Sequence, residues 1–251
     1  MPEGDSVHRV ARRLNAALAG RELERAQAPS PRSPLHGGAE ALLGRRLDHA
    51  EARGKHLLAH FSGDLVLHSH LGMSGRWRFF ADGRSPHGRP WLLLAAGSAT
   101  ATQTEGKLLR LVSESRLRAD RVLRRLGPDP LGEAFDRADA TRRLRELGAG
   151  REVGEALLDQ RIVAGVGNAI RNEACFAARV SPWRAVDELE TEQVDRLLGE
   201  VERTMRASLA RGRRPRAIYR ATSCPACAGR VSSRGQGDEN RTAYWCARCQ
   251  A

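Results

Sequence analysis

Four cysteines near the C-terminus constrain this chain more than any other feature. They form two pairs, Cys224-x-x-Cys227 and Cys246-x-x-Cys249, separated by 18 residues and all within the last 28. Each pair can present two thiolates from one tight turn. Two such turns facing each other close a tetrahedron of sulfur around a single Zn²⁺. A closed site leaves no position for water, so the ion is expected to build structure and not to catalyse. The residues between the pairs would form a hairpin carrying Arg234 and Arg241. Disulfides or two solvent-exposed turns are the alternatives, and the spacing favours zinc over both.

The chain has 251 residues, long enough for two domains and a sizeable core. Lys and Arg total 42 against 30 Asp and Glu, so 42 − 30 gives a net charge of +12. A folded chain this basic points to a polyanion, most simply nucleic acid. Arginine supplies almost all of the charge, which genome composition alone can produce. Lys55 and Lys107 are the only lysines, so each is worth asking about. Cys175 lies in an apolar helical stretch and reads as a small core residue. The longest apolar run, Trp91–Ala96, is of strand length, so no membrane segment is expected. The start, Met1-Pro-Glu-Gly-Asp5, is unlike a signal peptide, and a reducing cytoplasm suits thiolate ligation.

A helix is expected to open at Asp5 or Ser6, both good N-caps. Val7, Val10, Ala11, Leu14 and Leu18 follow at helical spacing, and Gly20 ends the run. Residues 55–61, 65–70, 77–80, 91–96 and 108–112 read as strands. Gly127-Pro-Asp-Pro130 is a break. Beyond it residues 138–147, 153–160, 168–178 and 188–211 read as helices. Between Arg203 and Arg220 there are seven arginines and no acid, a basic linker into the cysteine hairpin.

The N-terminus has a chemistry of its own. Once Met1 is removed, Pro2 presents a secondary amine, and an α-amino group has a pKa of about 7.7–8.0. Such an amine can attack an aldehyde-like carbon and give an iminium that stays cationic. The cation acidifies the neighbouring C–H and drives elimination. Glu3 beside it could donate or accept the proton. Alone, Pro-Glu after Met is an ordinary beginning.

The motifs occur in a telling order: Met1-Pro-Glu-Gly, Arg53-Gly-Lys-His-Leu-Leu58, Leu71-Gly-Met-Ser-Gly75, Leu126-Gly-Pro-Asp129, Leu157-Leu-Asp-Gln160 with Ala164-Gly-Val-Gly-Asn168, and Tyr244-Trp-Cys-Ala-Arg-Cys-Gln250. Together they resemble the formamidopyrimidine-DNA glycosylase/endonuclease VIII family of base-excision enzymes, from Met1 to Gln250. The opening Pro-Glu-Gly-Asp is similar to the endonuclease VIII branch.

The resemblance implies a role for each motif. Pro2 would be the Schiff-base nucleophile and Glu3 the acid that opens the deoxyribose ring. Lys55 would grip phosphate and assist β-elimination, and Arg241 at the hairpin tip would serve δ-elimination, with Arg234 a weaker competitor. His70, Arg125 and Asn168 would contact DNA, Asn168 at the start of a helix where free N–H groups favour an anion. Glu173 matches a family acid. Met73 would be the wedge that fills the gap left by an extruded nucleotide. Cys224, Cys227, Cys246 and Cys249 would hold one structural Zn²⁺.

The chain also departs from the family. The Arg-Arg-Phe-Gly motif of the glycosylase branch, source of two further wedge residues, has no match. The linker before Cys224 is two residues shorter than usual, and Ser6 stands where many relatives carry Glu.

The expected fold is α+β. A leading helix and β-sandwich occupy residues 1–130. A helical domain with a helix–two-turns–helix motif spans 131–218, and a zinc β-hairpin follows at 219–251. The expected activity is a bifunctional glycosylase and lyase preferring oxidised pyrimidines, a monomer acting on damaged DNA in the cytoplasm at the nucleoid. The alternatives are an oxidised-purine glycosylase and a catalytically silent DNA-binding paralogue.

Overall fold

Val7, Ala11, Leu14 and Leu18 recur at steps of three and four and so share one side of a helix. All four are buried along α1 (Gly4–Leu18). The computed structural model describes residues 2–81 and 88–250, and it divides into two units, Met1–Arg124 and Arg125–Ala251.

In the first unit α1 is followed by β1 (Arg25–Gln27), β2 (Leu47–Arg53), β3 (His56–Phe61), β4 (Leu65–His70), β5 (Arg76–Phe80), β6 (Leu92–Ala96), β7 (Ala99–Thr104) and β8 (Leu108–Val112). They form two four-stranded antiparallel sheets, β1-β6-β7-β5 and β2-β3-β4-β8. The helix packs on β2 and β3 of one sheet and on β5 and β7 of the other. Its buried stripe joins Leu57, Leu67, Leu92, Leu94 and Leu109 in one core. Strands β3 and β6 are buried along almost their whole lengths, so they read as apolar runs and not as alternations. Two short helices, α2 (Glu114–Arg118) and α3 (Arg121–Arg124), end the unit.

The second unit is helical: α4 (Arg137–Leu147), α5 (Val153–Ala156), α6 (Asn168–Ala177) and α7 (Thr191–Arg211), then a hairpin of β9 (Ser232–Gln236) and β10 (Arg241–Trp245). Asp136 caps α4 by accepting from the Asp139 N–H at 2.8 Å. Glu190 and Gln193 form a capping box on α7. Leu144, Val153, Leu157, Ile170, Leu197, Val201 and Met205 make the core. The α+β class and its order of parts are as expected. Among the described residues no helix is long and apolar enough to cross a membrane.

Several boundaries differ, each for a local reason. The first helix opens at Gly4, with Glu3 as N-cap; Asp5 is buried inside the first turn and pairs with Arg9 at 3.2 Å. Lys55 lies in the turn between β2 and β3 and not in a strand. The helix expected over 153–160 stops at Ala156. There the Asp159 carboxylate accepts from the Arg161 N–H at 3.0 Å, and the Gln160 amide donates to Leu158 O and Val166 O at 2.8 and 2.9 Å. Side-chain bonds of this kind compete with the helical ladder. The polar Val186–Glu188 stretch is a separate 3₁₀ turn, so α7 starts at Thr191.

Leu14 is fully buried between the helix and both sheets. Leu14→Ala is expected to lower the unfolding free energy by about 2–5 kcal/mol, read from denaturant melts. A loss below about 1 kcal/mol would mean this contact does not hold the helix on the sandwich.

Candidate active site and metal centre

In the first unit the chemistry-bearing residues sit at element ends. Pro2 is half-buried one residue before the helix, and Met1 lies outside the described residues. Glu3 is 1% exposed. Its carbonyl accepts from the Ser6 and Val7 N–H groups at 2.9 and 3.2 Å, so the residue after Pro2 is fixed by the first helical bonds. Lys55 occupies the tight turn that starts β3, and His70 ends β4. His56 and His70 face each other in register across β3 and β4.

These two histidines belong to a larger group. The His56 and His70 rings meet edge to face at 4.8 Å between centroids. His56 Nδ1 lies 2.9 Å from His68 Nε2, and Arg110 Nη2 lies 3.1 Å from His68 Nδ1. The Arg110 guanidinium also binds Asp120. Because Arg110 can only donate, His68 Nδ1 is an acceptor. His68 Nε2 then carries the proton and gives it to His56 Nδ1. Gly72 N–H donates to His70 Nδ1 at 3.1 Å, leaving the His70 proton on Nε2.

All three rings are held neutral. Burial, then the neighbouring His70 and His68, pushes His56 down to about 3. Burial, then Arg110, pushes His68 down to about 4. Burial, then Lys107 and Lys55, pushes His70 down to about 4. His70 therefore offers a neutral N–H donor beside two lysine charges.

Met73 follows on a tight turn closed by the Gly75 N–H donating to Leu71 O at 2.9 Å. The turn lies against Lys107: Gly72 has φ +60°, and a Cβ there would lie 3.1 Å from Lys107 Cβ. A side chain would be strained and crowded at that position. Met73 itself is 70% exposed, an apolar knob on a fixed base.

In the second unit the region between α5 and α6 is a pair of turns held by Gln160. Its Oε1 accepts from the Gly165 N–H at 2.9 Å. Gly167 is the N-cap of α6 and Asn168 its first residue. Asn168 Nδ2 donates to Thr242 O in β10 at 3.0 Å. Its Oδ1 accepts from Arg171 Nη2. Arg171 is fully buried and also donates to Gly154 O, Gln236 Oε1 and Arg241 O. Asn168 and the backbone of Arg241 are thus joined through one guanidinium. The Arg241 side chain pairs with Glu239 at 3.0 Å and lines a cavity of about 240 Å³ with Arg151, Glu155, Asp159 and Gln236. Arg234 lies on the other strand, its guanidinium stacked 3.9 Å over the Trp183 ring. Arg125 is exposed in the turn after α3.

The four cysteines come together. Their sulfurs all lie within 4.8 Å of one another, with Cys224 to Cys249 at 3.8 Å and Cys227 to Cys246 at 3.6 Å. Disulfides would need sulfurs at about 2.05 Å. Tetrahedral thiolates at about 2.3 Å from an ion would stand about 3.8 Å apart, and the sulfur set fits that. The fifth cysteine, Cys175, is buried in the helical core, and burial pushes its thiol up to about 12.

Two family models match the chain: the formamidopyrimidine-DNA glycosylase N-terminal domain over residues 1–118 and the formamidopyrimidine-DNA glycosylase H2TH domain over 126–218. A probable endonuclease 8 2 of Streptomyces coelicolor is 37% identical, covering all of this chain and 94% of that protein. The chain belongs to the formamidopyrimidine-DNA glycosylase/endonuclease VIII family. Endonuclease 8 1 of Mycobacterium tuberculosis is 32% identical over the full length of both chains, and the chain falls in the endonuclease VIII branch of these DNA-repair glycosylases. A solved complex of Lactococcus lactis Fpg with DNA containing an abasic site shares the fold, with a TM-score of 0.85 at 21% identity and 99% of each chain covered.

Two groups in this glycosylase were not anticipated from sequence. The histidine relay was missed because only His70 falls in a recognised motif; the pairing of β3 with β4 is what places His56 and His68 beside it. Arg171 was missed because α6 is buried nearly all round, so no polar face marks an arginine as internal.

The neutral histidines predict an acid-sensitive first unit. Unfolded histidine takes a proton near 6.5, whereas the folded rings do so only at about 3 to 4. The stability they contribute is complete above pH 6.5 and is lost as pH falls toward 4. His60, raised by Glu51 and Glu114, has the opposite sign: its stability is present below 6.5 and lost as pH rises through its raised pKa. Below pH 6.5 the His60 contribution no longer changes, so the three neutral rings set the slope: unfolding free energy should fall from pH 6.5 to 4.5, and His68→Gln should flatten it. A flat or rising profile in that window would contradict the neutral relay.

Proposed function

We propose that this chain is a bifunctional DNA glycosylase and lyase that excises oxidised bases, pyrimidines in preference, and cuts the strand by β,δ-elimination through an iminium at Pro2. The observation that carries the reading is the placement of Pro2 next to Glu3, the N-cap of α1, which is buried and fixed by the first helical bonds. A nucleophile held this way reacts without first being ordered.

The steps follow from the residues. The Pro2 nitrogen lone pair bonds to C1′, and the glycosidic bond breaks with its electrons leaving on the base. Glu3 protonates the ring oxygen as the sugar opens, giving the C1′ iminium. Loss of a C2′ proton then expels the 3′ phosphate, and loss of a further proton expels the 5′ phosphate. Water hydrolyses the iminium and frees the amine.

Lys55 supplies a point charge for the phosphate at the breaking bond. His70 supplies a neutral Nε2–H, and Arg241 serves the second elimination. Arg125 and Asn168 take flanking phosphates, and Met73 enters the base stack. The four cysteines hold one Zn²⁺, which supplies folding energy to the hairpin and no chemistry. Residues 1–130, 131–218 and 219–251 are the catalytic, helical and finger parts. The protein acts as a monomer on damaged DNA in the cytoplasm, at the nucleoid.

An oxidised-purine specificity has one observation in its favour: a protein named formamidopyrimidine-DNA glycosylase, from Halorhodospira halophila, is 34% identical over the full length of both chains. The Pro-Glu-Gly opening and the missing Arg-Arg-Phe-Gly motif favour pyrimidines.

Borohydride should trap the protein on an oligonucleotide containing an abasic site. Pro2→Gly should slow trapping, and retention of Met1 should abolish it. Undiminished trapping with Met1 retained would remove the proline mechanism. Cys246→Ser should lose the single zinc and with it DNA affinity, while the first unit stays folded. Freshly purified protein without zinc by metal analysis would refute the metal assignment. In single-turnover assays thymine glycol and 5-hydroxyuracil should be excised faster than 8-oxoguanine opposite cytosine. The reverse order would favour the purine reading.

A further inference from the structure

A hollow of about 510 Å³ opens where α7 ends, lined by Arg211, Arg213, Arg214, Pro215 and Arg216. Four guanidiniums so close in sequence repel one another, and such a run ordinarily spreads into solvent. A helix C-terminus attracts cations, but that effect fades within the last turn. It accounts for Arg211 and does not reach Arg213 and Arg216.

The chain here is fastened at both ends. Gly212 turns it out of the helix with φ +70°, a conformation in which any L side chain is strained. Five residues later, Glu173 of α6 takes hold. Its carboxylate accepts from the N–H groups of Ala217, Ile218 and Tyr219 at 2.8, 3.1 and 2.8 Å. Glu173 is 4% exposed and Ile218 fully buried, the latter packed with Cys224, Val231 and Cys246. The Tyr219 ring meets Tyr244 of β10 edge to face at 5.4 Å. Pro215 stiffens the middle of the turn. A buried carboxylate, a left-handed glycine and an apolar anchor are more than a solvated charge run needs.

We infer that the Arg211–Arg216 turn is a built binding site for a phosphate group, and that Glu173 is the positioning residue that holds it in shape. Guanidinium forks match phosphate oxygens in pairs. The hollow leaves room for a phosphodiester with its flanking sugars. A DNA backbone phosphate is therefore the source this site fits, a free phosphate the other. The choice of DNA rests on the glycosylase reading; the phosphate site does not.

The test uses the full-length, metal-loaded protein and fluorescence anisotropy across a salt series, with undamaged duplex and with duplex containing an abasic site. R213A/R216A should lower the slope of log K against log salt by about 0.9 on both duplexes, the share of one phosphate. E173Q should also weaken binding, although it removes a negative charge from a protein that binds a polyanion. A disordered charge cloud predicts the opposite sign for E173Q. Should E173Q fail to fold, the slope of R213A/R216A decides alone.

Calorimetric titration with inorganic phosphate separates the sources. Phosphate binding that is lost in R213A/R216A, with an unchanged DNA slope, assigns the site to a free phosphate. Unchanged slope together with no phosphate binding, or tighter DNA binding by E173Q, overturns the inference. Undamaged duplex requires no Pro2 chemistry. Failure of borohydride trapping by the wild-type protein would therefore sink the glycosylase reading and leave these slopes interpretable.

Discussion

One buried guanidinium organises the second unit. Arg171 on α6 donates to Gly154 O in α5, to Gln236 Oε1 in β9, to Asn168 Oδ1 in its own helix and to Arg241 O in β10. A planar donor with a fixed fork can bind several acceptors only if each is already in place. The contacts therefore make the helix and the hairpin one object. Gln236 extends the set to Glu152 and Pro182, and Asn172 Oδ1 accepts from the Tyr244 N–H at 2.6 Å. The hairpin is thus tied at its strands by amide and guanidinium bonds and at its base by four sulfurs. Burying so many polar groups costs free energy unless each is partnered, so loss of Arg171 would loosen Asn168 and Arg241 together.

The first unit solves a different electrostatic problem. Lys55 and Lys107 bring positive charge to the end of β4, where a protonated histidine would add more. Burial and those lysines keep His70 neutral, and a relay through His56, His68 and Arg110 ends on Asp120. The result is a directional N–H donor among cations, an arrangement suited to phosphate oxygens at neutral pH.

Much of this was legible from sequence where a residue's job is local. The cysteine pairs read directly, because a CxxC turn needs no tertiary information to present two sulfurs. Strands β4 and β8 and the start of α6 were found at their observed limits, since apolar runs bounded by Gly and polar turns leave little choice. Strand β2, Leu47-Asp-His-Ala-Glu-Ala-Arg53, was missed because only Leu47 and Ala50 are buried on it, which gives no period of two. Lys55 was misplaced because the chain turns at Gly54, which has φ +59°, before β3 begins. The end of α5 was misplaced because side-chain to backbone bonds of Asp159 and Gln160, invisible to periodicity, decide it. The histidine relay, the Arg171 clamp and the Glu173 grip on residues 217–219 all join residues distant in sequence. Their chemistry exists only once strand pairing and helix packing have placed them.

The central claim is that the secondary amine of Pro2, and neither lysine, forms the covalent bond to DNA. Mass spectrometry of the tryptic peptides after borohydride reduction on DNA containing an abasic site tests it most directly. The account predicts the sugar remnant on the peptide Pro2-Glu-Gly-Asp-Ser-Val-His-Arg9, attached at the proline nitrogen. A remnant on a peptide carrying Lys55 or Lys107 would contradict it.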